Sequence, residues 1–185
     1  MIFVLLLFSI PLVLGQLILG PCPYPPEFVR NLDYEKYSGP WYVVAQSRQH
    51  PMNALECQRV HYTSNDKGLN AVFNTSKAYS QQQKHKNGTL IREYNKSPGE
   101  LKLALDTFSR FYQFRVLSVN YSQVAVEYTC LSGVFNYTAS VTILHRQPAQ
   151  LGSVNSALST LNLTNVIPHK LRSSIVLVNH TNCNN

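Results

Sequence analysis

The chain reads as a succession of short runs rich in Val, Leu, Tyr, Phe and Thr, each bounded by Gly, Pro, Asn, Asp or Ser. That is the pattern of strands separated by tight turns. Trp41 to Gln46 is the first run, with Gly39-Pro40 bending the chain at its entry, and Cys57 to Thr63 is the second. Ser64-Asn65-Asp66-Lys67-Gly68 then signals a hairpin into Leu69 to Ser76, because Asn, Asp and Gly tolerate the backbone conformations that tight hairpin turns need. Thr89 to Tyr94 and Leu101 to Leu105 follow, joined by Ser97-Pro98-Gly99; Phe111 to Ser118, Gln123 to Leu131 and Tyr137 to His145 complete a set of eight. Sequential strands without intervening helices predict an all-β domain of antiparallel neighbours, either a closed up-and-down barrel or a sandwich. An immunoglobulin-type sandwich wants a cysteine on each side of a mid-domain tryptophan, whereas Trp41, the single tryptophan, precedes three of the four cysteines.

Beyond His145 the period lengthens. Leu151, Val154, Leu158 and Leu161 step by three and four residues, which predicts one amphipathic helix over about Gln150 to Leu161 lying against the outside of the β domain. Ser174 to Val178 is a last extended piece leading to Cys183 and a polar tail. At the other end, Pro21-Cys22-Pro23-Tyr24-Pro25-Pro26 is too rich in proline for helix or central strand and predicts an extended arm. Asn31 to Tyr37 follows as a short turn of helix, with Asp33 suited to cap it. Met1 to about Gly15 is almost wholly apolar and shorter than the roughly 20 residues a bilayer-spanning helix needs, so it is expected to be a secretory signal peptide, although no Lys or Arg precedes its core. The expected organisation is thus a signal peptide at 1–15, an N-terminal arm at 16–36, and one domain at 37–185 that carries the helix at about 150–161 and the tail.

Charge and cysteine content narrow the partners. A net charge of +7 is compatible with acidic ligands, sulfated glycans or a membrane surface, but with Lys and Arg scattered and no dense basic block it reads more simply as a soluble basic surface. Secretion argues against nucleic acid. Four cysteines in an oxidising compartment predict two disulfides; their spacing leaves three pairings open and is too wide for a zinc site. Asn-x-Ser/Thr sequons stand at Asn74, Asn87, Asn95, Asn120, Asn136, Asn162 and Asn179. Pro98 directly after the sequon of Asn95 disfavours that one, and the other six are expected to carry glycans on the outer surface.

Nothing in the motifs points to catalysis. No histidine pair has metal-ligand spacing on a predicted helix, there is no Gly-x-Ser-x-Gly and no glycine-rich phosphate loop, and the nine acidic residues are dispersed. Two disulfides leave no thiol nucleophile. The expectation is a non-enzymatic protein with neither a catalytic residue nor a metal, whose chemistry lies in a cavity. An eight-stranded barrel encloses space for one small ligand. Taking Trp41 as inward places Val43 and Ala45 on its face, and Phe73, Tyr94, Leu103, Tyr112, Phe114 and Tyr128 are the further cavity residues expected.

Separated stretches carry a family resemblance. Gly39-Pro40-Trp41-Tyr42 resembles the Gly-x-Trp signature of the lipocalins, and Val116 to Tyr128 resembles their turn between the sixth and seventh strands, with Val119 and Asn120 in place of Thr and Asp. Arg146, just after the eighth strand, stands where that family has an arginine across the tryptophan. Cys22-Pro23, Cys57-Gln58 and Tyr128-Thr129-Cys130 are most similar to the group of apolipoprotein D, lazarillo and bilin-binding proteins. The resemblance spans the mature chain. It implies an eight-stranded antiparallel up-and-down barrel with one external C-terminal helix, a structural barrel-end set of Gly39, Trp41 and Arg146, and disulfides Cys22–Cys130 and Cys57–Cys183. It also implies a secreted carrier of a small hydrophobic ligand, such as a fatty acid, sterol, retinoid, carotenoid or bilin. No cofactor is required beyond such a bound ligand or chromophore. Cationic amines fit poorly with so few carboxylates. The alternative is a glycosylated extracellular interaction protein with a filled barrel, acting on a receptor or partner.

Overall fold

The computed structural model describes residues 18–25, 27–52, 54–77, 82–106, 110–148, 153–160 and 162–183. The expected signal peptide, Pro26, and Gln150, Leu151 and Leu161 of the expected helix lie outside the described residues.

Eight strands follow one another as read from the sequence: β2 (Gly39–Ser47), β3 (Arg59–Asn65), β4 (Gly68–Ser76), β5 (Gln83–Arg92), β6 (Glu100–Leu105), β7 (Phe111–Asn120), β8 (Val124–Ser132) and β9 (Asn136–His145). Each pairs antiparallel with the next, and β9 pairs back onto β2, so the sheet closes into an up-and-down barrel. Closure removes the exposed sheet edge along most of the circuit. Two short strands sit outside: β1 (Ile18–Leu19) against the start of β9, and β10 (Ile175–Leu177) on the edge of β2 that β3 leaves beyond Tyr42. The helices are short as well. α1 (Tyr34–Tyr37) is capped by Asp33, whose carboxylate accepts from the Lys36 amide. The expected external helix is α2 (Val154–Thr160), and a further turn, α3 (His169–Arg172), precedes β10.

Side-chain alternation sorts the core into two layers. Trp41, Val43, Val60, Tyr62, Leu69, Phe73, Leu90, Leu103, Tyr112, Phe114 and Val116 face into the barrel. Val126, Val141 and Ile143 face outward and are covered by Leu158, Leu163, Ile167, Leu171 and Ile175 of the C-terminal segment. A register shift between Val43 and Ala45 breaks the alternation in β2, since the extra residue of a bulge turns the chain over. Val44 and Ala45 therefore both join the outer layer, and Ala45 does not share the face of Trp41 as the pattern predicts. Tyr128 is outward for a related reason. Glu127 opposes Val116 and Tyr128 opposes Arg115, so the inward slot falls one residue earlier, and the Tyr128 hydroxyl donates to the Pro23 carbonyl in the N-terminal arm at 3.1 Å. Tyr94 lies beyond the end of β5 and is 93% exposed, because Asn95 adopts the left-handed conformation (φ 64°) and carries the chain away in a turn.

Cys22 is bonded to Cys130 and Cys57 to Cys183, with sequence separations of 108 and 126. On the chain-entropy account, loops of this length stabilise by on the order of 4–5 kcal/mol each.

Candidate ligand-binding site

Up-and-down connectivity puts alternate connections at opposite ends. One end is shut. Gly39 enters β2 with φ 97°, and a side chain there would bring a Cβ to 3.3 Å from Arg146 Nη1. That proximity exists because the Arg146 guanidinium lies over Trp41, its carbon 3.7 Å from the ring centroid. It also donates to the carbonyls of Tyr121 (2.9 Å), Pro40 (3.0 Å) and Lys36 (2.9 Å). The Trp41 indole donates to the Tyr37 carbonyl at 2.8 Å. A guanidinium plane stacked on an indole face, with its donors spent on carbonyls, is a structural plug.

Just inside this plug sits a buried carboxylate. Glu127 is 4% exposed, and its Oε1 accepts from the hydroxyls of Tyr37 and Tyr62, both at 2.7 Å. Burial pushes its pKa up to about 7, against the pull of the two hydroxyls, because desolvation penalises the charged form. Both tyrosines are driven well above their ordinary values by burial and then by the Glu127 charge. Farther up, Phe73, Leu90, Leu103, Leu105, Tyr112 and Phe114 fill the middle of the barrel. A Cβ on Gly88 would fall 3.0 Å from Leu103 and 3.1 Å from Phe73, so the absence of a side chain there lets the layer close.

At the other end the described residues border a recess. Between the connection of β2 to β3 and the hairpin of β4 and β5 lies a cavity of about 820 Å³, within the size range of small-molecule sites. Pro51, Met52, Ala54, Leu55 and Glu56 form one wall; Thr75, Ser76, Lys77, Gln82, Lys84 and Lys86 form the other. The apolar wall is braced from behind. Gln46 donates to the Ala54 carbonyl at 2.8 Å, and the Met52 amide donates to His50 Nδ1 at 3.1 Å. Burial holds His50 at a pKa of about 4, so at neutral pH the ring is uncharged and Nδ1 is free to accept. The Asn179 amide donates to the Leu55 carbonyl at 2.9 Å, the Cys57 amide to the Asn179 carbonyl at 2.8 Å, and the Cys57–Cys183 bridge ties the same segments covalently.

Of the residues expected to line a cavity, none lines this one. Val43, Phe73, Leu103, Tyr112 and Phe114 point into the barrel but belong to its packed interior; Ala45 and Tyr128 are in the outer layer, and Tyr94 is exposed at the shut end. The lining residues that the strand pattern missed are Met52, Leu55, Lys84 and Lys86. Lys86 opposes Phe73 and Lys84 opposes Thr75, on the face that continues through Gly88 to buried Leu90. Two lysines at inward positions of a strand were the available signal. Among the described residues no cluster of His, Cys, Asp and Glu could hold a metal ion, and no helix is long and apolar enough to cross a membrane.

No protein-family model matches the sequence, and no curated protein sequence does. Solved structures match across nearly the whole chain. Lobster apocrustacyanin A1 is 19% identical, with a TM-score of 0.68 over 91% of this chain and 93% of that one. H1 crustacyanin from the lobster Homarus americanus is 18% identical, with a TM-score of 0.65 over 90% and 91%. Insecticyanin from the tobacco hornworm Manduca sexta is 17% identical, with a TM-score of 0.61 over 89% and 94%. At such identities the likeness carries the fold: this chain has the lipocalin fold, a closed eight-stranded barrel with a short external helix and short strands added outside it.

Proposed function

We propose that the chain is a secreted lipocalin that binds a small hydrophobic ligand through the open end of its barrel. The observation that carries this reading is the open-end cavity of about 820 Å³ with an apolar wall at Met52 and Leu55, set in a barrel whose other end is sealed by Trp41 and Arg146. Two disulfides support export. The six favoured sequon asparagines, Asn74, Asn87, Asn120, Asn136, Asn162 and Asn179, all lie outside the barrel interior with their side chains exposed or half-exposed, as glycan attachment requires. Titration of the purified protein with a neutral apolar fluorophore, N-phenyl-1-naphthylamine, tests the reading. Saturable binding at one site, abolished by Leu55→Arg at an exposed position of the lining with unchanged circular dichroism, is the expected result. Absence of saturable binding overturns it.

A second reading draws on the middle of the barrel, where Phe73, Leu103, Tyr112 and Phe114 are buried together in one apolar cluster. In that reading the protein acts by surface contact with a receptor or partner. Native mass spectrometry of the glycoprotein from its own source separates the two: a discrete non-covalent added mass favours the carrier, and an apo protein that refuses apolar probes favours the partner-binding protein.

A further inference from the structure

We propose that a neutral hydrogen-bonding site lies one layer behind the recess lining. There Gln46, Gln58 and Thr142 receive a ligand group that both donates and accepts, a carboxamide or a hydroxyl, while the ligand's apolar body lies in the recess. This site rests on the carrier reading above. The barrel interior has two unlike halves. β4 to β7 turn Leu69, Phe73, Leu90, Leu103 and Phe114 inward. On β8, β9 and β2 polar side chains take inward positions instead. Val141 and Ile143 face outward, so Thr142 between them faces in, and Gln46 and Glu127 oppose it from either side. Val60 and Tyr62 face inward on β3, and Gln58, two residues before Val60, takes the same face. Gln46, Gln58 and Thr142 are 0%, 1% and 3% exposed.

The protein does not satisfy these three side chains. Among the described residues, five buried side-chain polar atoms have no hydrogen-bond partner, and four of them belong to this sector: Gln46 Oε1, Gln58 Oε1, Gln58 Nε2 and Thr142 Oγ1. The polar groups beside them are already engaged. Glu127 Oε1 accepts from Tyr37 and Tyr62, and the hydroxyls of Thr129 and Ser140 bond to each other at 2.6 Å. A buried amide without partners destabilises a fold where an apolar side chain of similar size does not. A cluster of such atoms therefore marks a place where a ligand supplies the missing partners. Both ends of the Gln58 amide are unpaired, so it offers a donor and an acceptor side by side whichever way it is turned. None of the three side chains is charged, and an anionic head would meet the Glu127 carboxyl beside Thr142, which leaves a neutral group as the match. The site adjoins the recess. Gln46 Nε2 donates to the Ala54 carbonyl at 2.8 Å, and Arg59 opposes Asn74, which puts Gln58 level with Thr75. Ala54 and Thr75 both line the recess.

The test ranks decanamide, methyl decanoate and decanoate, which share an apolar body, by displacement of N-phenyl-1-naphthylamine at pH 7.4. The ester keeps the carbonyl and lacks the N–H donors. Wild type should bind the amide roughly tenfold more tightly than the ester, the order of gain when hydrogen bonds form to groups otherwise left unpaired, and more tightly than decanoate. In Gln58→Leu/Thr142→Val that preference should fall below twofold while ester affinity stays put. The urea midpoint of this variant without ligand should equal or exceed that of wild type, because neither side chain has a bond to lose. Equal affinity for amide and ester in wild type, tighter binding of decanoate, or a preference that survives in the variant overturns the site and leaves the carrier reading intact, since the fluorophore still binds. A lowered midpoint, as internal water pairing these atoms would give, overturns it too. The wild-type ranking decides the matter even where the variant does not fold. Failure of the fluorophore and of all three ligands to bind overturns the carrier reading itself.

Discussion

Glu127 is the residue whose environment departs furthest from what its type prefers. Its folded pKa of about 7 lies above the ordinary 4.5, so the folded state holds a proton that the unfolded chain gives up sooner. Stability contributed by the protonated carboxyl is complete below pH 4.5, declines as pH rises toward 7 and is gone above it. Glu127→Gln keeps acceptors for the Tyr37 and Tyr62 hydroxyls without the charge. It should therefore be more stable than wild type at pH 8 by on the order of 3 kcal/mol, with the advantage vanishing at pH 4. Urea unfolding at the two pH values measures this; an unchanged difference between them refutes the assignment. His50 has the opposite sign. Burial depresses its pKa from 6.5 to about 4, so the stability it supports is present above 6.5 and is lost as pH falls through 4. Because the Met52 amide bonds to this ring, acidification should loosen the cavity wall first. Amide exchange at Met52, corrected for intrinsic rate, should accelerate between pH 6 and pH 4 relative to amides in β8. At the same scale Arg146→Ala removes a stacked guanidinium and its carbonyl contacts at the plug. A loss of about 2–4 kcal/mol with ligand affinity retained is expected, read by thermal unfolding and fluorophore titration.

Strands are where sequence and structure agree most, and their departures share a cause. Seven of the eight runs start within two residues of where turn chemistry puts them, because alternation is strong where one face packs a core. β5 starts at Gln83 rather than Thr89. Its first half alternates Lys84 and Lys86 with Gln83, His85 and Asn87, which leaves no apolar face for a pattern to detect. The same fact that hid the strand marks the site: the inward face is polar there because it meets a cavity. The face assignments of Ala45 and Tyr128 failed for a different reason. A bulge or a one-residue change of register inverts every later side chain, and composition leaves no trace of it. Trp41 with Arg146 and the two cysteine pairs were legible only through the family resemblance, since spacing alone left three cysteine pairings open. Gly88 tests the packed middle of the barrel directly. Gly88→Ala brings a methyl to 3.0 Å from Leu103 and 3.1 Å from Phe73, and overpacking of this kind should cost about 1–3 kcal/mol in urea unfolding. A neutral or stabilising result would mean that this layer has room to spare and that the interior admits ligand more deeply than the mouth.

For the molecule as a whole, the two disulfides do different work although they close loops of similar length. Cys22–Cys130 ties the N-terminal arm to β8, where the Pro23 carbonyl also receives the Tyr128 hydroxyl and the Val29 amide donates to Val116. None of these residues borders the cavity. Cys57–Cys183 instead joins the end of the cavity wall to the tail, beside the reciprocal bonds of Leu55 and Cys57 with Asn179. Chain entropy predicts nearly equal losses of stability from removing either bridge, on the order of 4–5 kcal/mol before relaxation of the unfolded state is counted. Geometry predicts unequal losses of binding. Cys22→Ala/Cys130→Ala should lower the melting temperature and leave fluorophore affinity near wild type under conditions where the variant is folded. Cys57→Ala/Cys183→Ala should lower both, because the wall bearing Met52 and Leu55 loses its covalent anchor and must be ordered by the ligand itself. If the two variants lose affinity equally, the cavity is coupled to global stability; if neither loses any, the ligand does not rest on this wall.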